Sequence, residues 1–428
     1  MSSSTPWNNN NSFGISYSGI FRGMEDIEFA NISCSRSLEK TDDSIVSRSF
    51  HITTKMLINN LLSLKNKVGI ADFSEKDPKK LDMESSKAVT FAKKRRWMIL
   101  FWAQDILWKL GHWKNAELNR FIDDFSPNLI FQPVYYVGYM NDIAQYIKKR
   151  TGVPMIGYIS DDNYTLKQFS LSPLFWIDRL IKRKKVKKTI EMCDLLYVIS
   201  DIQKQEYEKI FKVPCKVLTR GEDFTDEPKL KKQYGDPLQL VFTGNMGANR
   251  WRSLGLIAEA LKAINTDGVH AQLRIYTPTP ITSKMEKALN IENSSFIMGK
   301  VPATEVEEIQ RNADILVHAE GLDLKNRLLV RQSFSTKLVD YFKMARPILA
   351  VGPKDIASIA HLKKNDCAIV AETVAEIKDK LVAVLNQRER LDEKSINAYN
   401  CGRCHHEIFT IQGMVRADIE TAIKDKGA

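Results

Sequence analysis

Long apolar runs are missing from this chain: nowhere in its 428 residues do eighteen apolar residues follow one another, the length a bilayer-spanning helix needs. The opening residues, Met1-Ser2-Ser3-Ser4-Thr5-Pro6 and on to the Asn8–Asn11 run, are polar, which does not fit a secretory signal. Cysteine is sparse as well. Six in a chain this long are too few for a disulfide framework and suit a reduced, cytoplasmic setting. Nucleic-acid-binding signatures are also lacking, with no ribonucleoprotein motif, zinc-finger spacing or helix-turn-helix pattern. The basic pI of about 9.1 is therefore not read as a nucleic-acid site.

What is present is enough apolar material for two cores: 43% of residues are hydrophobic and 27% charged. The formal charge of +11 is unevenly placed. Up to residue 235 there are 37 Lys and Arg against 28 Asp and Glu, and beyond it 26 against 24. Basicity concentrated in the first half suits a phosphate-rich partner, an anionic membrane or a phosphorylated acceptor, and equally a plain solvated basic surface.

Apolar runs of strand length recur, each followed by a helical pattern, which predicts parallel sheets built from βαβ units. In the first half they are Phe29–Ile32, Asn128–Phe131, Met155–Ile159, Leu195–Ile199 and Lys216–Leu218. In the second half they are Gln239–Thr243, Gln272–Tyr276, Ser295–Met298, Ile315–His318, Pro347–Val351 and Cys367–Val370. The polar stretch 221–237, with two prolines, reads as the linker between domains 1–220 and 238–390. Residues 391–428 read as helices that cross back to the first domain. A doubly wound domain normally opens on a hydrophobic central strand, and no apolar run precedes Pro6. The expectation is that this strand is missing or lies upstream, and that the segment Asn8–Gly14 is the loop that should follow it.

The stretch Leu240-Val241-Phe242-Thr243-Gly244-Asn245-Met246-Gly247-Ala248-Asn249-Arg250 reads as a strand, a glycine-flanked turn and the start of a helix. Gly244 and Asn245 would let backbone amides approach an anion, and Arg250 or Arg252 would add charge. Such turns occur in every βαβ unit, so the segment alone is also compatible with a purely structural role. A second loop, Gly299-Lys300-Val301-Pro302, ends a strand where backbone groups suit a flat nucleobase. A third, Phe334-Ser335-Thr336-Lys337-Leu338-Val339-Asp340-Tyr341, reads as a loop entering a helix. Ser335 or Thr336 would cap that helix, Lys337 would add a full charge, and Asp340 would lie one turn on. A capped helix with solvated charges is the plainer alternative.

Taken in order, TGN-x-G…NRW, GKVP…ADILVHAEG and SFSTKLVDYFKMARPILAVGP resemble the C-terminal domain of the retaining, glycogen-synthase-like GT-B glycosyltransferases, closely from Leu238 to about Pro353. The first half is similar only through CDLLYVIS and VLTRGEDF. The resemblance implies an α/β GT-B fold, with two doubly wound Rossmann-like domains, an interdomain cleft and a C-terminal crossover helix. It implies a nucleotide-sugar donor whose diphosphate meets Arg250 and Lys337, with Thr336 as cap and Asp340 gripping ribose. Glu320 looks like the first member of the family's paired glutamates, but nineteen residues separate it from Asp340 where the family usually has seven. Such enzymes need no metal or other cofactor, and this chain has no Asp-x-Asp triplet of the metal-binding kind.

In the first half, the run Met155–Ile159 ends in Ser160-Asp161-Asp162-Asn163. Asp161 or Asp162, at the carboxyl end of a parallel strand, could orient or deprotonate an acceptor hydroxyl, or could cap a helix. Asn11, Ser12 and Gly14 look like the acceptor-side loop of the family. Two segments, 93–113 and 174–188, combine Lys and Arg with Trp, Phe, Leu and Ile. They suit the surface of an anionic membrane and a diphosphate-linked lipid acceptor, while Trp108 and Trp113 would also suit a core. Cys401-Gly402-Arg403-Cys404-His405 spells a haem-attachment pattern, but that chemistry needs export, so the match is read as coincidental. The expected activity is transfer of a sugar to a glycan or lipid-linked acceptor in surface polysaccharide or glycoconjugate synthesis. A nucleotide-sugar epimerase and a non-catalytic GT-B scaffold are the competing readings.

Overall fold

The computed structural model describes residues 1–7, 12–35, 41, 44–64, 66–72 and 98–427. The N-terminal half holds two four-stranded leaves. The first runs β1 (Ser2–Ser3), β2 (Phe29–Ser33), β3 (Val46–His51) and β4 (Ile70–Ala71). The second runs β5 (Ile130–Pro133), β6 (Met155–Ile159), β7 (Leu195–Val198) and β8 (Cys215–Val217). Every pairing is parallel except β3 with β4.

Where the first strand was expected to be missing or to lie upstream, the chain opens on β1, a two-residue strand of buried serines paired with β2. Hydrophobicity does not reveal this strand, because its polar atoms are satisfied by side chains. Ser2 Oγ donates to Gln132 Oε1 at 2.7 Å, and Gln132 Nε2 donates to the Ser2 carbonyl at 3.3 Å. Gln132 on β5 thus stitches the two leaves together. The segment expected as the following loop is helical from Ser12 to Phe21, so Ser12 and Gly14 belong to a helix, with Gly14 buried. Asn11 lies outside the described residues.

The C-terminal half carries one six-stranded parallel sheet in the order β11-β10-β9-β12-β13-β14. Its strands are β9 (Leu238–Thr243), β10 (Ala271–Tyr276), β11 (Ser295–Gly299), β12 (Ile315–Ala319), β13 (Ile348–Val351) and β14 (Ile369–Ala371). Helices cover both faces, so the central strands read as near-continuous apolar runs, and Leu240, Phe242, Leu316 and Val317 are all buried. The chain winds outward from β9 to β11, then returns to place β12 beside β9. Loops leaving these two neighbours diverge, opening a crevice at their carboxyl ends.

Two strands of chain join the halves side by side. Glu222 N–H donates to the His406 carbonyl and Ile408 N–H to the Glu222 carbonyl, each at 2.9 Å. The structure separates the two closing helices. Leu391–His405 packs on the C-terminal half, where Tyr399 and Cys401 join the cluster of Phe342. Only Ile408–Gly427 returns to the N-terminal half, burying Ile411, Val415 and Ile419 against the cluster of Tyr17, Phe131 and Tyr197. Among the described residues no helix is long and apolar enough to cross a membrane.

Candidate active site

The crevice between β9 and β12 gathers charge from three loops. Strand β9 ends at Gly244, whose φ of +129° lies in the left-handed region that favours glycine. A methyl group there would collide with the Lys337 ammonium, so the bare Gly244 backbone gives that ammonium its place. Asn245 shapes the turn itself, its Oδ1 accepting from Gly247 N–H at 2.7 Å and from Thr279 Oγ1 at 3.3 Å. Ala248 and Asn249 both adopt positive φ, and helix Arg250–Ile264 follows. Asn249 does not cap this helix; its Nδ2 donates to Asp323 Oδ2 at 2.9 Å, tying the β9 turn to the β12 loop.

Arg250, at the first position of its helix, is held in a fork: Nε donates to Glu320 Oε2 at 3.0 Å and Nη2 to Oε1 at 3.3 Å. Glu320 is only 2% exposed, and His318 Nε2 stands 3.3 Å from its Oε1. Burial opposes the charge on Glu320, but His318 and Arg250 outweigh it and hold the pKa below its ordinary value. Glu320, a candidate catalytic carboxylate that could face the sugar ring or merely cap a loop, is held by Arg250 and His318.

Lys337 opens helix Lys337–Met344 with its ammonium 5.1 Å from the centre of the Phe242 ring. Burial, reinforced by repulsion from Arg250, lowers its pKa to about 8, while Glu320 and Asp340 pull the other way. Arg250 and Lys337 therefore face one region from two loops, each within the field of the other. Thr336 stands at the N-cap position of this helix. It has helical dihedrals and makes no side-chain capping bond, and the Ser335 N–H is taken by Ser358 Oγ at 3.1 Å. Asp340 is bound by Arg220 at 2.9 Å, and Arg220 also pairs with Glu222. Burial raises the Asp340 pKa and Glu222 pushes the same way, against Arg220 and Lys337. Val301 stands past the end of β11, two strands away from β9, half-buried at the rim.

On the facing half the paired aspartates separate. Asp162 is buried and its carboxylate is fully engaged: it accepts from the N–H groups of Tyr164 and Thr165 at 3.2 and 2.7 Å, and from Arg179 Nη2 at 3.0 Å. Asp161 is exposed, and its Oδ1 accepts from Ser333 Oγ at 2.8 Å, across the seam. Thus Asp161 reaches the loop that leads to Lys337 through Ser333, whereas Asp162 is tied mainly to its own domain, with Arg331 Nη2 of the other half 3.7 Å from its Oδ2. Residues the sequence reading passed over are His318, Arg220, Glu206, Arg331 and Gln332. Of these, Arg220 stood in the quoted motif VLTRGEDF and His318 in ADILVHAEG, while the other three stood in none.

The basic apolar segments also divide. Trp108 and Trp113 are buried and belong to the core, and residues 93–97 lie outside the described residues. On helix Pro173–Ile190, Asp178, Arg179 and Lys182 are buried, while Leu174, Ile177, Leu180 and Ile181 are exposed beside exposed Lys184, Lys187 and Lys188. The crevice between β9 and β12 is not the only hollow at the seam. A cavity of about 770 Å³ lies on its flank, walled by Ser200, Phe334, His361 and His406, and neither Arg250 nor Lys337 lines it.

Comparison with known proteins agrees with this fold. Residues 237–387 match the family described as Glycosyl transferases group 1. No curated protein matches the chain in sequence. Solved structures share its architecture along nearly its whole length. The N-terminal domain of Candida albicans trehalose-6-phosphate phosphatase aligns with a TM-score of 0.62 at 12% identity, covering 98% of this chain and 95% of that one. A glycosyltransferase from Rickettsia africae gives 0.60 at 9% identity, covering 98% and 97%. HepE of Anabaena in complex with UDP gives 0.53 at 12% identity, covering 72% and 83%. The fold is GT-B: two Rossmann-like α/β halves facing each other across a cleft.

Proposed function

We propose that this chain is a glycosyltransferase that moves a sugar from a nucleotide-diphosphate donor to an acceptor hydroxyl. The observation that carries the reading is the meeting of Arg250 and Lys337 at the β9–β12 switch point, within the segment that matches the glycosyltransferase family. Two cations from separate loops, one at a helix start, suit two linked phosphates. As the sugar–phosphate bond breaks, negative charge grows on the leaving diphosphate. Fixed cations in a partly buried crevice stabilise that charge without reorganising. In this reading Glu320 and His318 hold Arg250 in register, Val301 borders the base, and Asp340 reaches ribose once Arg220 releases it. Asp161 faces the acceptor hydroxyl as its orienting or basic group, and transfer proceeds with retention. HepE binds UDP and UDP-glucose, which makes uridine donors the first to try.

The proposed acceptor is a glycan or a lipid-linked sugar, as in surface polysaccharide or glycoconjugate synthesis. Support for a lipid-linked one comes from helix Pro173–Ile190, whose exposed Leu174, Ile177 and Ile181 share a surface with Lys184 and Lys188. That face suits peripheral contact with an anionic membrane. The test of the function is a panel of UDP-, GDP- and dTDP-sugars read by thermal unfolding. A ligand that binds only the folded chain raises its melting temperature, so at least one donor should do so. No shift across the panel would sink the assignment.

A further inference from the structure

We propose that Glu206 is a positioning residue for the donor loop, setting Ser335–Lys337 from the opposite half of the molecule through Arg331 and Gln332; the proposal rests on the glycosyl-transfer reading above. Helix Asp201–Phe211 belongs to the N-terminal half, and Glu206 stands in its middle. Its carboxylate receives both ends of a guanidinium from the other half, Arg331 Nη1 to Oε1 at 2.7 Å and Nη2 to Oε2 at 2.9 Å. Gln332 Nε2 adds a third bond to Oε2 at 2.6 Å. Neighbouring groups of the same half land on the same short segment. Ser200 Oγ donates to the Gln332 carbonyl at 2.8 Å, Gln203 Nε2 meets Gln332 Oε1 at 3.3 Å, and Ser333 Oγ donates to Asp161 at 2.8 Å.

These bonds all fall on residues 331–333, directly ahead of the loop that ends in Lys337. Arg331 and Gln332 are buried, so the pair is shielded from the screening that weakens surface ion pairs. The segment is gripped from the other side by its own half: Ala357 N–H donates to the Arg331 carbonyl at 2.9 Å, and Ser335 N–H to Ser358 Oγ at 3.1 Å. A loop held between two bodies takes its position from both. Bidentate pairing fixes direction as well as distance, which a single point charge would not. The remaining partner of Glu206 is Lys167 of its own half, whose Nζ donates to Oε1 at 2.7 Å, so its reach into the other half runs through Arg331 and Gln332.

The experiment uses the full chain and the variants E206A, E206Q and R331A. Hydrogen exchange of the ligand-free protein reads the loop directly: amides of residues 331–340 should exchange faster in E206A and R331A, and less so in E206Q, which keeps an acceptor for Gln332. Calorimetry then compares a nucleoside diphosphate with its monophosphate, UDP against UMP or the pair chosen by the donor panel. Mis-set Lys337 should weaken the diphosphate by roughly tenfold to a hundredfold while leaving the monophosphate unchanged. A general loss of structure would weaken both alike. Unchanged exchange at 331–340 overturns the proposal, and so does a diphosphate-to-monophosphate ratio equal to that of the unsubstituted chain. If exchange rises but the unsubstituted chain binds no nucleotide, the link between the halves stands and the glycosyl-transfer reading falls.

Discussion

At the carboxyl edge of the C-terminal sheet two cations stand together: Arg250 is forked onto Glu320, whereas among the described residues Lys337 makes no ion pair and lies over an aromatic ring with its pKa lowered. At the corresponding edge of the N-terminal sheet, charge closes on itself. Asp162 is tied to Arg179, with Arg331 of the other half 3.7 Å off, and Asp178 to Lys182, Trp102 and Tyr136. The difference fits the proposed division of ligands between the halves. An edge with charge left over stabilises an anion; an edge whose charges are mutually satisfied suits a neutral hydroxyl, with Asp161 the exposed carboxylate facing the seam.

The sharpest way to break this comparison is to substitute the adjacent aspartates. D162N leaves the buried Arg179 guanidinium without its counter-charge, which should cost about 3–5 kcal/mol of stability in denaturant unfolding. D161N should leave stability nearly unchanged, yet lower kcat by about a hundredfold to ten-thousandfold, the range of a lost acid–base group. Nucleotide affinity should be untouched by D161N. If D161N unfolds the chain, or retains full turnover, the division of roles between these neighbours is mistaken.

On the donor edge the expected effects are smaller and fall on binding. K337A removes a charge-assisted contact, so affinity for the nucleoside diphosphate should drop about tenfold to a hundredfold, corresponding to ~1.5–3 kcal/mol. G244A should weaken binding by pushing the Lys337 ammonium aside and straining a positive-φ position. In the K337A background G244A should add little, since the group it displaces is gone. Additive losses in the double variant would show that Gly244 acts through the turn rather than through Lys337.

Much of this was legible in the chain because parallel strands buried on both faces are written as apolar runs, as in LQLVFT at β9 and ILVHA at β12. Strands that depart from that rule escaped notice. Ser2–Ser3 is polar and satisfied by Gln132, and VSRSFH at β3 mixes charge with apolar residues. The clustering of Arg250 with Lys337 follows from strand order, which three motifs in sequence were enough to suggest. The fates of Asp161 and Asp162 could not be read, since local pattern gives both the same context. What separates them is Arg179, on a helix seventeen residues further on. Glu206 and Arg331 are 125 residues apart and belong to no motif, so only the assembled seam brings them together. Thr336 falls between these cases: it takes the N-cap position its residue type promises, but with helical dihedrals and no side-chain capping bond.

The finest distinction between the two edges is their response to pH. With a pKa near 8 in the empty crevice, Lys337 is protonated at pH 7 and loses its charge as the pH rises through 8. A bound diphosphate favours the charged form and raises that pKa, so binding above pH 8 takes up a proton. Affinity should therefore be level between about pH 7 and 7.5, then fall by up to about tenfold per pH unit above 8. K337A should flatten the profile over this window, and the fall should persist in D161N. Unfolding through this group does not mimic the effect. A lysine whose folded pKa lies below its unfolded value of 10.5 disfavours the folded state most below pH 8, and that penalty fades as the pH climbs toward 10.5. The empty protein thus gains stability from Lys337 over the interval in which its grip on phosphate weakens. Calorimetric titration and thermal unfolding, followed together from pH 7 to 9.5, should move in opposite directions in the unsubstituted chain. A flat affinity profile there would mean that Lys337 does not meet the phosphate.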